Sequence, residues 1–172
     1  KTIDSNLSSD QMLILPNTNS GYGIGETGMY CDETSPLNPI THYGKTKVDA
    51  EKVILDSQKG ISLRLATVFG VSPRMRMDLL VNFFTYKAMT DEYIILFEQN
   101  FKRNYIHIQD VASAFIFMMN NFDKYNGEAF NVGLSDANIS KAELCDKIKE
   151  FLPKFVVSSN EYFSDPDQRD YI

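Results

Sequence analysis

Short apolar runs alternate with longer helical patterns along this chain, and that alternation limits what it can fold into. Met12 to Leu15, Ile61 to Ala66, Tyr93 to Phe97, Asn104 to Ile108, Glu128 to Val132 and Phe155 to Val157 are brief and largely apolar, and they read as strands. Helical patterns separate them. One runs from beyond Pro39 to about Ser57, with Val48, Ala50, Val53, Ile54 and Leu55 as apolar positions and Gly60 as its stop. Leu79 to Met89 is expected to form another. Gln109 to Asn121 reads as a buried helix through Val111, Ala112, Ala114, Phe115, Ile116, Met118 and Met119. Asp110 reads as its cap, and His107 as a packed strand residue. Ser140 with Glu143 spells a capping box and opens a last helix to about Leu152. Strands alternating with helices predict a largely parallel α/β sheet.

Composition excludes several functions. The 172 residues carry a net charge of -6 and are 43% hydrophobic, ordinary for a soluble domain with a core of its own. The acidic balance, with no Lys/Arg stripe, argues against a nucleic-acid surface. No apolar run is long enough to span a bilayer, and no signal-peptide pattern opens the chain. Cys31 and Cys145 lack metal-type spacing and read as free thiols in a reducing compartment, hence a cytoplasmic protein. His42 and His107 are the only histidines, too few for a histidine-based metal site. No metal is expected.

Pro16 to Gly23 reads as a loop at the carboxyl end of the first strand, where open α/β sheets take ligands. Farther on, Tyr43 and Lys47 stand four apart, so on a helix they share one face. A free phenol has a pKa of about 10, and a nearby cation favours the phenolate. Reaching neutrality takes roughly three units, or about 4 kcal/mol, more than one solvated lysine supplies. A second positive charge, such as an oxidised nicotinamide, would help. The pair therefore points to a base acting on a hydroxyl beside a cofactor. Gly23 to Gly28 spells G-x-G-x-x-G, but a dinucleotide fingerprint must lie directly between a strand and a helix. Here the strand is expected to end near Leu15 and residues 29–36 look like more loop, so the glycines read as loop residues.

Five ordered motifs carry a resemblance. Thr18, with Tyr22-Gly23 behind it, matches an S-S/T-x-x-x-Y-G loop, and Tyr43-Gly44-Lys45-Thr46-Lys47 matches Y-G-x-S/T-K. Arg64 to Gly70 is similar to R-x-x-N-x-Y/F-G, and Arg103 to Ala112 to R-D-Y-I-H-V-x-D-V-A. Phe130-Asn131-Val132-Gly133 matches Y-N-I/V-G. In this order they resemble the extended short-chain dehydrogenase/reductases of the sugar-nucleotide epimerase/dehydratase group, and most of all the UDP-glucose 4-epimerases. That family opens with a G-x-x-G-x-x-G strand–loop–helix, which this sequence lacks. The expectation is a C-terminal part: the second half of a Rossmann-like doubly wound parallel sheet, plus a small substrate-binding α/β region. Residues 1–70 would carry the catalytic groups and 71–172 mainly the substrate region, with strands near 104–132 returning to the first unit.

The resemblance implies roles residue by residue. Tyr43 would be the base on a sugar hydroxyl, commonly O4, and Lys47 would lower its pKa and hold the nicotinamide ribose. Thr18 would bind the same sugar oxygen, and the backbone around Ala66 would pass the nicotinamide. The cofactor would be NAD, with NADP left open. Arg103 would meet the diphosphate of a nucleotide-diphosphate sugar, and Arg74, Arg76 and Arg169 are further candidates for the substrate. Thr67 stands where the family often has an Asn that touches substrate. The 4,6-dehydratases follow the catalytic Thr with an acidic pair, whereas Asn19 and Ser20 stand here. That favours transient oxidation and reduction at sugar C4. The alternatives are a dehydratase or ketoreductase of the same family, or a non-catalytic binding module. The intact protein would be a homodimer.

Overall fold

The computed structural model describes residues 6–8, 10–24 and 30–159. In chain order its elements are β1 (Ile14–Thr18), α1 (His42–Ser57), β2 (Ile61–Leu65), β3 (Thr67–Phe69), α2 (Leu80–Thr90), β4 (Tyr93–Leu96) and β5 (Lys102–His107). Then come α3 (Ile108–Asn120), α4 (Phe122–Tyr125), β6 (Ala129–Val132), β7 (Asn138–Ser140), α5 (Lys141–Phe151) and β8 (Val156–Ser159). Among the described residues, no helix is long and apolar enough to cross a membrane.

β1, β2 and β6 form a parallel sheet in that order, in a register that sets Asn17 beside Arg64 and Arg64 beside Asn131. Alternation along β2 divides its two faces. Ile61 and Leu63 point into an apolar cluster with Met118, Phe122, Phe130 and Val132. Ser62 and Arg64 point the other way, onto α1, and are buried there with Glu51. The helix that carries Tyr43 and Lys47 thus lies on the polar face of its sheet.

β3 and β5 pair in parallel, and β5 and β7 pair antiparallel, so β5 serves two partners. Its first half, Lys102 to Asn104, pairs with β7, and its second half, Tyr105 to His107, pairs with β3. β4 and β8 form a separate parallel pair. Here the core is apolar: Phe84, Ala88, Ile94, Leu96, Tyr105, Leu144, Cys145, Ile148 and Phe155 pack between α2, α5 and these strands.

Five details differ from the sequence expectation. β1 runs on to Thr18, through residues expected in a loop, because Asn17 finds a buried partner in Glu51. Thr67–Phe69 is a strand of a second sheet, not the end of β2. α1 stops at Gln58, which takes the left-handed conformation at φ 57°, two residues before Gly60. α3 is capped by His107, whose Nδ1 accepts from the Gln109 N–H, while Asp110 lies in the first turn. Nor is α3 buried throughout: Val111 and Met118 are, but Ile116, Phe117 and Met119 are exposed. The capping box at Ser140 and Glu143 forms with both of its bonds.

Candidate active site

Thr18 ends β1 and caps the short 3-10 turn Asn19–Tyr22. Its Oγ1 accepts from the Ser20 N–H at 3.2 Å and donates to Ser20 Oγ at 3.1 Å. The start of α1 is brought against this turn. Thr41 Oγ1 accepts from the Gly44 N–H at 3.0 Å, which sets the helix entry. A Cβ on Gly44 would stand 2.9 Å from Pro39 Cβ and 3.1 Å from the Ser20 carbonyl oxygen. The glycine therefore permits a helix–turn approach that a larger residue would block.

Tyr43 is 53% exposed, one turn from Lys47. The Lys47 ammonium lies 5.9 Å from the Tyr43 ring centroid and donates to the Pro16 carbonyl at 2.7 Å. Lys47 thus ties α1 to β1 while standing beside the phenol. Thr18, Ser20, Thr41, Tyr43, Ala66, Thr67 and Arg76 line one open cavity of about 530 Å³. A second cavity, of about 500 Å³, adjoins it through Thr67 and Leu79, which line both. Its walls include Phe83, Phe84, Ile94, Leu96 and Phe97, with Arg103 and Lys141 among its polar residues.

Of the residues singled out in the sequence, Thr18, Tyr43, Ala66, Thr67 and Arg76 meet at the first cavity and Arg103 at the second. Arg76 forms a bidentate pair with Asp78 at 2.7 and 2.5 Å. Hydrogen bonding to Arg76 holds the Asp78 carboxyl down at about 2. Arg74 is exposed on the loop after β3 and lines neither cavity. Arg169 lies outside the described residues, as does most of the G-x-G-x-x-G stretch. Ser20 faces the first cavity, whereas Asn19 lines a different one, near Tyr22 and Asn131.

The sequence did not point to what holds α1 in place. Glu51 Oε2 accepts from Asn17 Nδ2 at 2.7 Å and from Ser62 Oγ at 2.6 Å, and Arg64 donates to both carboxylate oxygens. Arg64 also donates to the Tyr22 hydroxyl at 2.8 Å, and that hydroxyl donates to Asn131 Oδ1. Burial pushes the Glu51 carboxyl up, but hydrogen bonds from Arg64 and Ser62 and the charge of Arg64 outweigh it, so it titrates below its ordinary value. The usable signal was spacing: Glu51 is four residues beyond Lys47, on the same helix face. Lys141 was also missed, although a lysine directly after a helix N-cap is itself unusual.

A profile of the NAD dependent epimerase/dehydratase family matches residues 7–133. Among solved structures, the fold resembles UDP-glucuronic acid 4-epimerase from Bacillus cereus in complex with UDP-glucuronic acid and NAD. The TM-score is 0.80 at 21% identity, over 96% of this chain and 53% of that one. It also resembles UDP-glucose 4-epimerase from Thermotoga maritima with UDP-glucose, with a TM-score of 0.79 at 21% identity over 94% and 54%. The dTDP-glucose 4,6-dehydratase from Bacillus anthracis in complex with NAD gives 0.78 at 21% identity over 94% and 52%. The chain therefore spans about half the length of the structures it matches. At this identity the likeness is one of fold alone, a Rossmann-like α/β arrangement. With the family profile covering most of its length, the chain belongs to the NAD dependent epimerase/dehydratase family.

Proposed function

We propose that this chain supplies the catalytic and substrate-binding groups of an NAD-dependent nucleotide-sugar epimerase acting at sugar C4. One observation carries the assignment: Thr18, Tyr43 and Ala66 line one cavity, and it adjoins a second that holds Arg103. Residues 1–70 would do the chemistry and 71–172 would mainly bind the nucleotide.

The first cavity suits the nicotinamide end of the cofactor. Ala66 offers a small buried wall, Tyr43 exposes its ring, and Lys47 stands beside it. Thr18, Tyr43, Lys47 and Ala66 would hold it. When bound, NAD takes up and returns a hydride. Tyr43 Oη would accept the proton of the sugar hydroxyl, aided by the Lys47 charge. The Thr18 hydroxyl, already paired with Ser20, would orient the same oxygen. Arg103 would meet the diphosphate with charge-assisted bonds, and Thr67 would stand between sugar and nucleotide. Arg74, Arg76 and Arg169 remain candidates for the substrate. Asn19 and Ser20 do not ionise near neutral pH, so neither can serve as the carboxylic acid or carboxylate of a water-eliminating pair. The epimerase and dehydratase neighbours support the family chemistry alike, and these two side chains favour the epimerase. The working protein would be a cytoplasmic homodimer, which sedimentation and cell fractionation would check.

A titration with NAD followed by calorimetry, then NMR of a UDP-hexose incubated with protein and NAD, tests the assignment. Formation of the C4 epimer is expected. Tyr43→Phe should cut turnover by about 10²–10⁴-fold and leave the circular-dichroism spectrum unchanged. Undiminished turnover would remove Tyr43 from the chemistry, and a 4-keto-6-deoxy product would replace the epimerase with a dehydratase. Because the chain spans half of its structural neighbours, the second reading is a binding module without turnover. Nucleotide-sugar binding that is indifferent to Tyr43→Phe, with no product, would favour it.

A further inference from the structure

Thr18 and Tyr43 lie on different elements, β1 and α1, so the contacts between those elements set the distance between them. Tyr43, Lys47 and Glu51 follow one another at helical spacing on one face of α1. The last two grip consecutive residues of β1. Lys47 donates to the Pro16 carbonyl at 2.7 Å. Glu51 Oε2 accepts from Asn17 Nδ2 at 2.7 Å, and Asn17 Oδ1 accepts in turn from the Thr18 N–H at 2.9 Å. One side-chain amide therefore links a carboxylate on the helix of Tyr43 to the backbone of Thr18. That carboxylate is itself held, by Ser62 and Arg64 of β2. Arg64 also donates to the hydroxyl of Tyr22, at the far end of the turn that Thr18 caps. Asn17, Glu51, Ser62 and Arg64 are all at most 5% exposed. A buried ion pair adds little net stability, so stability alone is a poor account of this cluster. A site that moves protons, by contrast, needs its groups held to within about 0.5 Å.

We propose that Asn17 is a positioning residue for the reaction, relaying the place of Glu51, and so of the helix that carries Tyr43, to Thr18. This rests on the assignment of Thr18 and Tyr43 to proton transfer at the sugar hydroxyl. Asn17 lines the first cavity, but both ends of its amide are engaged: Nδ2 with Glu51 and with Ser62 Oγ at 3.3 Å, Oδ1 with the Thr18 N–H. It therefore acts through Thr18 and not on the substrate. Glu51, 2% exposed, lines neither cavity and serves as the anchor.

Turnover of UDP-glucose with NAD by wild type, Asn17→Ala, Thr18→Val and the double variant tests the proposal, together with hydrogen exchange of the Thr18 amide followed by NMR. Asn17→Ala removes the tie while Ser62 and Arg64 still hold Glu51, so the circular-dichroism spectrum should not change. Its kcat should fall by roughly 10- to 100-fold, the scale of a misplacement of about 1 Å, with KM unaltered. Its Thr18 amide should exchange faster than in wild type. The double variant should turn over no more slowly than Thr18→Val alone, because two residues that act through one hydroxyl do not add. A wild-type kcat in Asn17→Ala would overturn the proposal and leave the catalytic assignment standing. Losses that multiply in the double variant, with a raised KM and a clearly lower melting midpoint, would make Asn17 a structural tie between β1 and α1, and would also overturn it. Unchanged exchange at Thr18 in Asn17→Ala would overturn it whatever the turnover. Wild type without turnover would overturn the catalytic assignment and this proposal together.

Discussion

Beneath α1 the chain buries Glu51, Arg64, Asn17 and Ser62 in one hydrogen-bonded cluster, whereas between α2 and α5 it buries Phe84, Leu96, Leu144, Ile148 and Phe155. Directional bonds hold the first region and packing holds the second. An apolar core resists loss of contact but tolerates small sliding, since its energy follows buried area. A buried ion pair adds little net stability and costs several kcal/mol when half of it is removed. It does fix one geometry. The two kinds of core match the tasks proposed for the regions above them, with a proton-transfer site over the bonded cluster and a ligand cavity over the packed one.

Removing half of the buried pair should show the difference most strongly. Arg64→Leu leaves the Glu51 carboxylate without its cation, and we expect a loss of about 3–5 kcal/mol in urea unfolding. Adding Glu51→Leu should restore part of it. If the double variant were no better than the single, the cluster would not be acting as a charge pair. Leu96→Ala, in the apolar core, should cost about 2–5 kcal/mol with no such rescue by a second truncation. A restoring partner there would erase the contrast between the regions.

Acid should also separate them. The folded Glu51 carboxyl lies below its ordinary value, so it contributes stability that is fully present above the usual carboxylate range. That stability is lost as pH falls through the depressed folded value. Wild type should therefore lose its advantage over Glu51→Gln as the pH is taken down from neutral toward that value. A constant gap across that range would place the effect elsewhere. The smallest signal is chemical. Burial pushes the Cys145 thiol up to about 12, so a thiol reagent at neutral pH should modify the partly exposed Cys31 and reach Cys145 only on unfolding. Equal labelling of both in the folded chain would mean that the apolar core opens readily.

Much of this was legible beforehand because local pattern and tertiary demand agreed. Ile61 to Leu65 alternates as a strand with two different faces should, and the Ser140–Glu143 box forms as spelled. Tyr43 and Lys47 share a helix face because spacing alone decides that. Pro16-Asn17-Thr18 was opaque, since the composition is that of a turn. It joins β1 because Pro16 pairs with Leu63, while its carbonyl takes the Lys47 ammonium and Asn17 bonds to Glu51, a residue 34 positions away. The buried Glu51–Arg64 pair was equally hidden, because charge in a sequence normally signals solvent and only the fold reveals the partner. The apolar residues of α3 read as buried for the opposite reason: composition is silent on which face meets the sheet.

The divided pairing of β5 sets a limit on how this protein can change in length. Arg103 and Tyr105 alternate with Asn104, and a one-residue slip in a strand turns every side chain to the opposite face. β7 grips the first half of β5 and β3 grips the second, so a deletion or insertion inside Lys102 to His107 cannot be absorbed by sliding toward either partner. The Ser72 to Asp78 loop, which is outside any strand ladder, has no comparable constraint. Length variation among descendants of this gene should therefore collect in that loop and avoid the six residues of β5.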